Sequence, residues 1–323
     1  MIDFMKYQFI KNFEKKRISK SSNGLGFFVF SYFIMMILLH TIVEFLYDPK
    51  ALAVTTNMSA LYFQIIFSSV GSAFLVGLFY LLLSKNKLNT TIKTDKVKLR
   101  IFFPFTFIGM AIAMVANYAA SIVDSNISLF GLENTASTSI PTNSITEIIL
   151  YIIAVALVPA FAEEFAFRGI FMGVLRKYGN TFAIITSSII FGAMHGNITQ
   201  IVFAFILGLI FGYIDCKTNS VIPSIVVHFI NNFYAVLLDV LSSTGVNDEI
   251  YLSIYYFLVT LFCILGILSF LYLLSTEKDI FKIKEEEYIL TLKERFGAFF
   301  SSPGIILITV IFSIETILYI GVL

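Results

Sequence analysis

Long apolar runs, separated by short polar segments, limit this chain more than any other feature. Crossing a hydrocarbon core takes roughly 20 apolar residues. Runs of that kind recur at Leu25–Tyr47, Ala60–Leu83, Ile101–Val123, Glu147–Val174, Phe182–His195, Ile198–Ile214, Val221–Leu241, Ile250–Leu274 and Ile305–Leu323. Of the 323 residues 58% are hydrophobic and 13% charged, with a mean hydropathy of +0.89, well outside the range of a soluble domain. The expected fold is all-α, a polytopic transmembrane bundle of eight or nine spans, the fifth short and the last weakest.

Lysines and arginines orient such a bundle. With the N-terminus cytoplasmic, all of the 22 except Lys50 and Arg168 fall in cytoplasmic segments: Lys6–Lys20, Lys85–Arg100, Arg176–Lys177, Lys217 and Lys278–Arg295. The basic segment Lys6–Lys20 is too long for a signal-peptide n-region, and the run after it lacks a small-residue cleavage ending, so a retained helix is expected. The stretch Glu277–Arg295 carries apolar residues at near-helical spacing and is expected to lie along the membrane surface. A net charge of +1 points to no nucleic-acid partner. Cys216 and Cys263 form no metal or disulfide pattern.

Against this background AEEFAFRG, Ala162–Gly169, is anomalous. Ionisable groups at membrane depth face the bundle interior or a wet cavity, and they mark functional sites by default. Glu164 and Arg168 are four apart with the acid first, the favourable order for a pair on one helix face. Glu163 points about 100° away, towards a different neighbour. Pro159 removes the amide that would bond the carbonyl of Val155, so a loosened turn is expected beside the carboxylates. The run SITE, Ser144–Glu147, reads as a capping box opening that helix.

Two of the three histidines lie in the next spans. FGAMH places Phe191 over His195, and HFINN places His228 and Asn232 on one face. At about 1.5 Å per residue from the turns near Gly179 and Asn219, Glu163 lies roughly 24 Å deep, His195 about 22 Å and His228 about 14 Å. They can share one layer if the helices are neighbours. Gly169-x-x-x-Gly173, Gly192-x-x-x-Gly196 and Gly208-x-x-x-Gly212 suggest close helix packing. His40 and Glu44 read as a local polar pair lining the bundle. Taken singly, each of these polar residues has a purely structural reading, an ion pair or an interhelical hydrogen bond.

EEFAFR, FGAMH and HFINN, in that order, resemble the E-E-x-x-x-R, F-x-x-x-H and H-x-x-x-N motifs of the CPBP or ABI family of intramembrane proteases, which includes the type II CAAX prenyl endopeptidases. The resemblance covers roughly Ser144–Leu241, about a third of the chain. It divides the sequence into residues 1–143, a cytoplasmic segment and three spans; 144–241, the CPBP-like core; and 242–323, further spans with a charged cytoplasmic segment at 277–298. What it implies is an endopeptidase with its active site inside the bilayer, open to the cytoplasmic side. Glu163 would be the general base, His195 would hold and polarise the water, and His228 and Asn232 would donate to the oxyanion. Glu164 and Arg168 would be supporting charges. The favoured mechanism is a glutamate-activated water. A zinc site of Glu163, His195 and His228 has the usual catalytic ligand count, but the helix motif H-E-x-x-H is absent.

The implied partners are the lipid bilayer and a membrane protein or peptide substrate. Richness in Ile, Lys, Asn and Phe suggests a low-GC bacterium and so its plasma membrane, where relatives are associated with bacteriocin or pheromone maturation and self-immunity. The competing readings are a non-catalytic scaffold or immunity protein with the same fold, and a proton-relaying transporter. The transporter is disfavoured because no paired interrupted helices appear in corresponding halves.

Overall fold

The computed structural model describes residues 2–47, 58–134, 144–283 and 285–322; Lys50, the lysine set apart by the orientation argument, lies outside them. Ten helices carry the architecture: α1 Ile2–Tyr47, α2 Met58–Ser84, α3 Leu99–Leu129, α4 Ile145–Tyr178, α5 Asn180–Ala193, α6 Ile198–Thr218, α7 Ile222–Ser243, α8 Asp248–Thr276, α9 Leu292–Phe300 and α10 Pro303–Leu318. The exceptions to an all-helical fold are slight. Two three-residue strands, β1 Leu132–Asn134 and β2 Ile320–Val322, pair antiparallel, with Glu133 opposite Gly321.

Among the described residues, seven helices are long and apolar enough to cross a membrane, or eight if α9 and α10, bent by 72°, count as one span. The chain is a multi-pass integral membrane protein. Of the eight or nine spans expected, the lower count agrees with the structure: at Phe182–His195, the run expected to be short, α5 has only 14 residues and reaches about 21 Å, short of a hydrocarbon core of about 30 Å. What stops it is Gly196, whose φ of +69° takes the left-handed backbone that glycine adopts without a steric cost. Gly192 and Gly196 therefore do not share a helix face. Gly192 does pack closely, against the backbone of Ile201 and Phe205, as Gly208 packs on Ser188.

In the charged stretch, residues 277–283 and 285–291 run through turns and irregular backbone, and helix begins only at Leu292, after a capping box in which Thr291 and Glu294 satisfy each other's amides. Ion pairs hold this segment to the bundle: Lys11 and Lys15 reach Glu294 at 3.1 and 3.3 Å, and Arg100 reaches Glu277 at 3.0 Å. Apolar side chains form three connected clusters. The largest joins α1, α4, α5 and α10 around Phe167, Phe171 and Phe182, all fully buried. The second packs α3 on α6, α7 and α8. Exposed phenylalanines and leucines cover the outer faces, as a lipid solvent requires.

Candidate active site

The fourth helix breaks its own regularity where the site begins. Ser144 opens α4 by accepting the amide of Glu147 at 3.2 Å. Wide π-helical turns at Ile152–Leu157 and Glu164–Met172 then flank the α-helical segment Val158–Glu163. Such turns concentrate at functional positions because they rotate side chains out of the regular sequence of faces. The carbonyl that Pro159 leaves without a helical partner, that of Val155, accepts the Nδ2–H of Asn232 at 3.1 Å. The backbone defect in α4 is thus closed by a side chain of α7.

Both carboxylates converge on one ring. His228 Nδ1 lies 2.9 Å from Glu164 Oε1, and its Nε2 lies 3.9 Å from Glu163 Oε2. Glu163 therefore faces the same imidazole as Glu164, on the opposite nitrogen, and not a different neighbour. The widened turn after Glu163 is the physical reason: adjacent side chains straddle the ring of α7. Glu164 is fully buried, whereas the side chain of Glu163 keeps 18% of its surface exposed. Only the latter lines the cavity.

Arg168 balances Glu164 from beneath, Nη1 to Oε1 at 3.2 Å, with both side chains buried. Its guanidinium lies 4.0 Å from the centre of the Phe191 ring and 5.1 Å from that of Phe211. Cation–π attraction on a desolvated guanidinium is worth about 2 kcal/mol, so the two rings take the place of the water this cation lost. Phe211 also stacks on His228, with centroids 5.4 Å apart, and fixes the plane of the imidazole.

His195 follows the end of α5, where its Nδ1 lies 2.9 Å from the carbonyl of Phe191. A carbonyl only accepts, so Nδ1 carries the proton and the neutral ring has its lone pair on Nε2. The edge-to-face contact with Phe191, centroids 5.2 Å apart, holds the ring in place.

Glu163, His195, His228 and Asn232 all line one cavity of about 980 Å³. From them it runs past Tyr118, Gln200, Tyr255 and Asp239, residues in the halves of α3, α6, α8 and α7 remote from Lys98, Lys217 and Lys278. An opening towards the lysine-rich side, which the resemblance implies, is not what this cavity provides. On that side Arg168, Phe171 and Met172 are buried in close packing, and they close the bundle beneath Glu164.

The zinc set is not assembled: among the described residues no three His, Cys, Asp or Glu side chains are grouped to hold a metal ion.

Three contributors escaped the sequence reading. Asn231, buried, donates to Asn232 Oδ1 at 3.1 Å and so orients that amide; its place inside HFINN was the available signal. Asp215, also buried, lies within electrostatic reach of Glu164 and Arg168. Phe211 is one aromatic among 36 phenylalanines, and nothing local distinguishes it. His40 and Glu44 lie on α1 away from the cavity, where the carbonyl of His40 accepts from Gln64.

A multi-pass bundle enclosing a carboxylate–imidazole centre defines the class: a membrane protein with paired acids and a histidine inside its helical bundle. Residues 145–234 match the family model described as Rce1-like, type II CAAX prenyl endopeptidase Rce1-like. The matched segment, less than a third of the chain, holds every residue of the centre and is similar to that family, the CPBP proteases. No curated protein and no solved structure matches the chain.

Proposed function

We propose that this protein is an intramembrane endopeptidase that hydrolyses a peptide bond of a membrane-embedded or membrane-associated protein or peptide with a glutamate-activated water. The observation that carries the reading is the pair of distances on His228, one ring held between a buried and a cavity-facing carboxylate. A structural ion pair needs only Glu164 and Arg168. It gives no reason for a second carboxylate at the open side of the ring.

In this mechanism Glu163 takes a proton from water while the Nε2 lone pair of His195 accepts a hydrogen bond from the same molecule. The water oxygen bonds to the substrate carbonyl carbon, and the carbonyl electrons move to oxygen. In its doubly protonated form His228 carries an N–H on each side, one donated to Glu164 and the other available to that oxyanion. The second N–H of Asn232 completes the oxyanion contacts. Collapse breaks the C–N bond, and Glu163 returns its proton to the departing nitrogen.

The setting we propose is a bacterial plasma membrane with the lysine-rich end cytoplasmic, by the distribution of lysines and arginines. The test is a membrane proteome comparison between cells carrying the native protein and Glu163→Ala. An uncut precursor accumulating only in the variant, at equal expression, supports the proposal. No difference, together with unchanged physiology, favours the scaffold.

A further inference from the structure

We infer that Asp239 forms a subsite for a lysine or arginine side chain of the peptide substrate, placed three to five residues from the bond that is cut. The inference rests on the peptidase reading of the cavity, and it adds what that reading lacks, a chemical class of substrate.

The argument begins on α7. His228, Asn232, Ala235 and Asp239 follow one another by four, three and four residues, the spacing of a single helix stripe, and all four line the cavity. The stripe therefore leads from the reacting centre to a carboxylate within the same space. Asp239 is not incidental there. The hydroxyl of Tyr151 donates to its Oδ2 at 2.7 Å, and the buried Tyr151 ring is braced by Tyr62, centroids 5.5 Å apart. One oxygen is anchored and the other is left for a partner. Among the described residues no lysine, arginine or histidine pairs with Asp239. A carboxylate in a largely apolar cavity is costly without a cation.

The surroundings have one sign. At this end of the bundle the charged side chains of the described residues include Asp124, Asp248 and Glu249, with no lysine or arginine. Such a mouth attracts cations and repels anions. Tyr251 and Tyr255 add aromatic walls to the same cavity, surfaces that suit the long stem of a basic side chain.

Spacing sets the register. Along α7, Asp239 lies about 10 Å beyond Asn232 and about 16 Å beyond His228, at about 1.5 Å per residue. An extended peptide covers roughly 3.3 Å per residue, so the basic side chain falls roughly three to five residues from the carbonyl under attack.

The experiment uses the full-length protein in lipid nanodiscs and a set of about 16-residue alanine–leucine peptides carrying one lysine at successive positions, with norleucine as the uncharged control. Cleavage is mapped by mass spectrometry. Binding of the same fluorescently labelled peptides is read by anisotropy on Glu163→Gln. The cut should move with the lysine at a constant offset, and the norleucine peptide should react at least about tenfold more slowly. Asp239→Asn, which keeps an acceptor for Tyr151, should bring the two peptides within about twofold, and Asp239→Lys should favour a glutamate peptide. Cuts that ignore the lysine, or a preference that survives Asp239→Asn, overturn the subsite alone. If no peptide is cut, binding decides. Lysine-selective binding lost in Glu163→Gln/Asp239→Asn supports the subsite while removing the peptidase reading. Unselective binding, or none, overturns the subsite.

Discussion

Asn232 of the seventh helix completes the fourth: its amide donates to the carbonyl of Val155, 3.1 Å away, which Pro159 deprives of its helical partner. A single side chain thus serves the fold and faces the cavity, and its two tasks can be separated. In Asn232→Ala the carbonyl is orphaned at membrane depth, a loss of about 1–2 kcal/mol. Adding Pro159→Ala supplies a backbone N–H to that carbonyl. We expect the double variant to recover most of the stability lost in Asn232→Ala, read by thermal unfolding in detergent, while peptidase activity stays down about 10²-fold or more. Recovery of activity along with stability would falsify a role for the amide at the oxyanion.

The two adjacent glutamates should behave oppositely. Glu163→Gln keeps the fold, because the side chain is part-exposed in the cavity, and lowers kcat by about 10²–10⁴-fold. Glu164→Gln removes the charge that Arg168 and His228 share inside the protein. Breaking a buried pair costs about 3–5 kcal/mol, so this variant should show a depressed unfolding temperature or fail to accumulate. Equal thermal stability of the two would contradict the assignment of base and support.

Arg168→Lys should not be conservative. The planar guanidinium lies on the Phe191 and Phe211 rings, a geometry an ammonium does not reproduce. We expect a loss of stability of about 1–2 kcal/mol and a rise in KM as Phe211 releases the plane of His228. Arg168→Lys that unfolds and cleaves like the native chain would show that charge alone matters there.

Acid should release the C-terminal segment first. The amide of Thr291, and after it Lys11, hold the Glu294 carboxyl at about 2, below its ordinary 4.5. A carboxyl lowered in the folded state stabilises fully above its unfolded value, and that contribution fades as pH falls from about 4.5 towards 2. Proteolytic nicking of residues 277–291 should therefore increase across that window in the native chain. In Glu294→Gln it should already be high at neutral pH and change little. A native chain whose nicking is flat from pH 6 to about 3 would refute the lock.

How much of this could be read from residues alone follows from their chemistry. Glu163, Glu164, Arg168, His195, His228 and Asn232 stand out because charge and imidazole are rare in spans, and the vacancy at Val155 follows from proline geometry. What closes that vacancy is a tertiary fact, and no local pattern names Asn232 as its partner. Phe211 and Asp215 were missed for the same reason, since their meaning comes from what they pack against. The fifth run, Phe182–His195, is bounded and short by sequence alone, because its apolar residues end at Gly196. That Gly196 takes a left-handed φ there is visible only in the backbone.

The early stop has a physical result. The 14-residue α5 ends before its neighbour begins, and the irregular turn 194–197 carries the chain the rest of the way to α6, whose 21 residues cover about 31 Å. The amides and carbonyls of such a turn are not all bonded within it, and each one left in hydrocarbon costs several kcal/mol. The turn that carries His195 therefore has to face protein or water, never lipid.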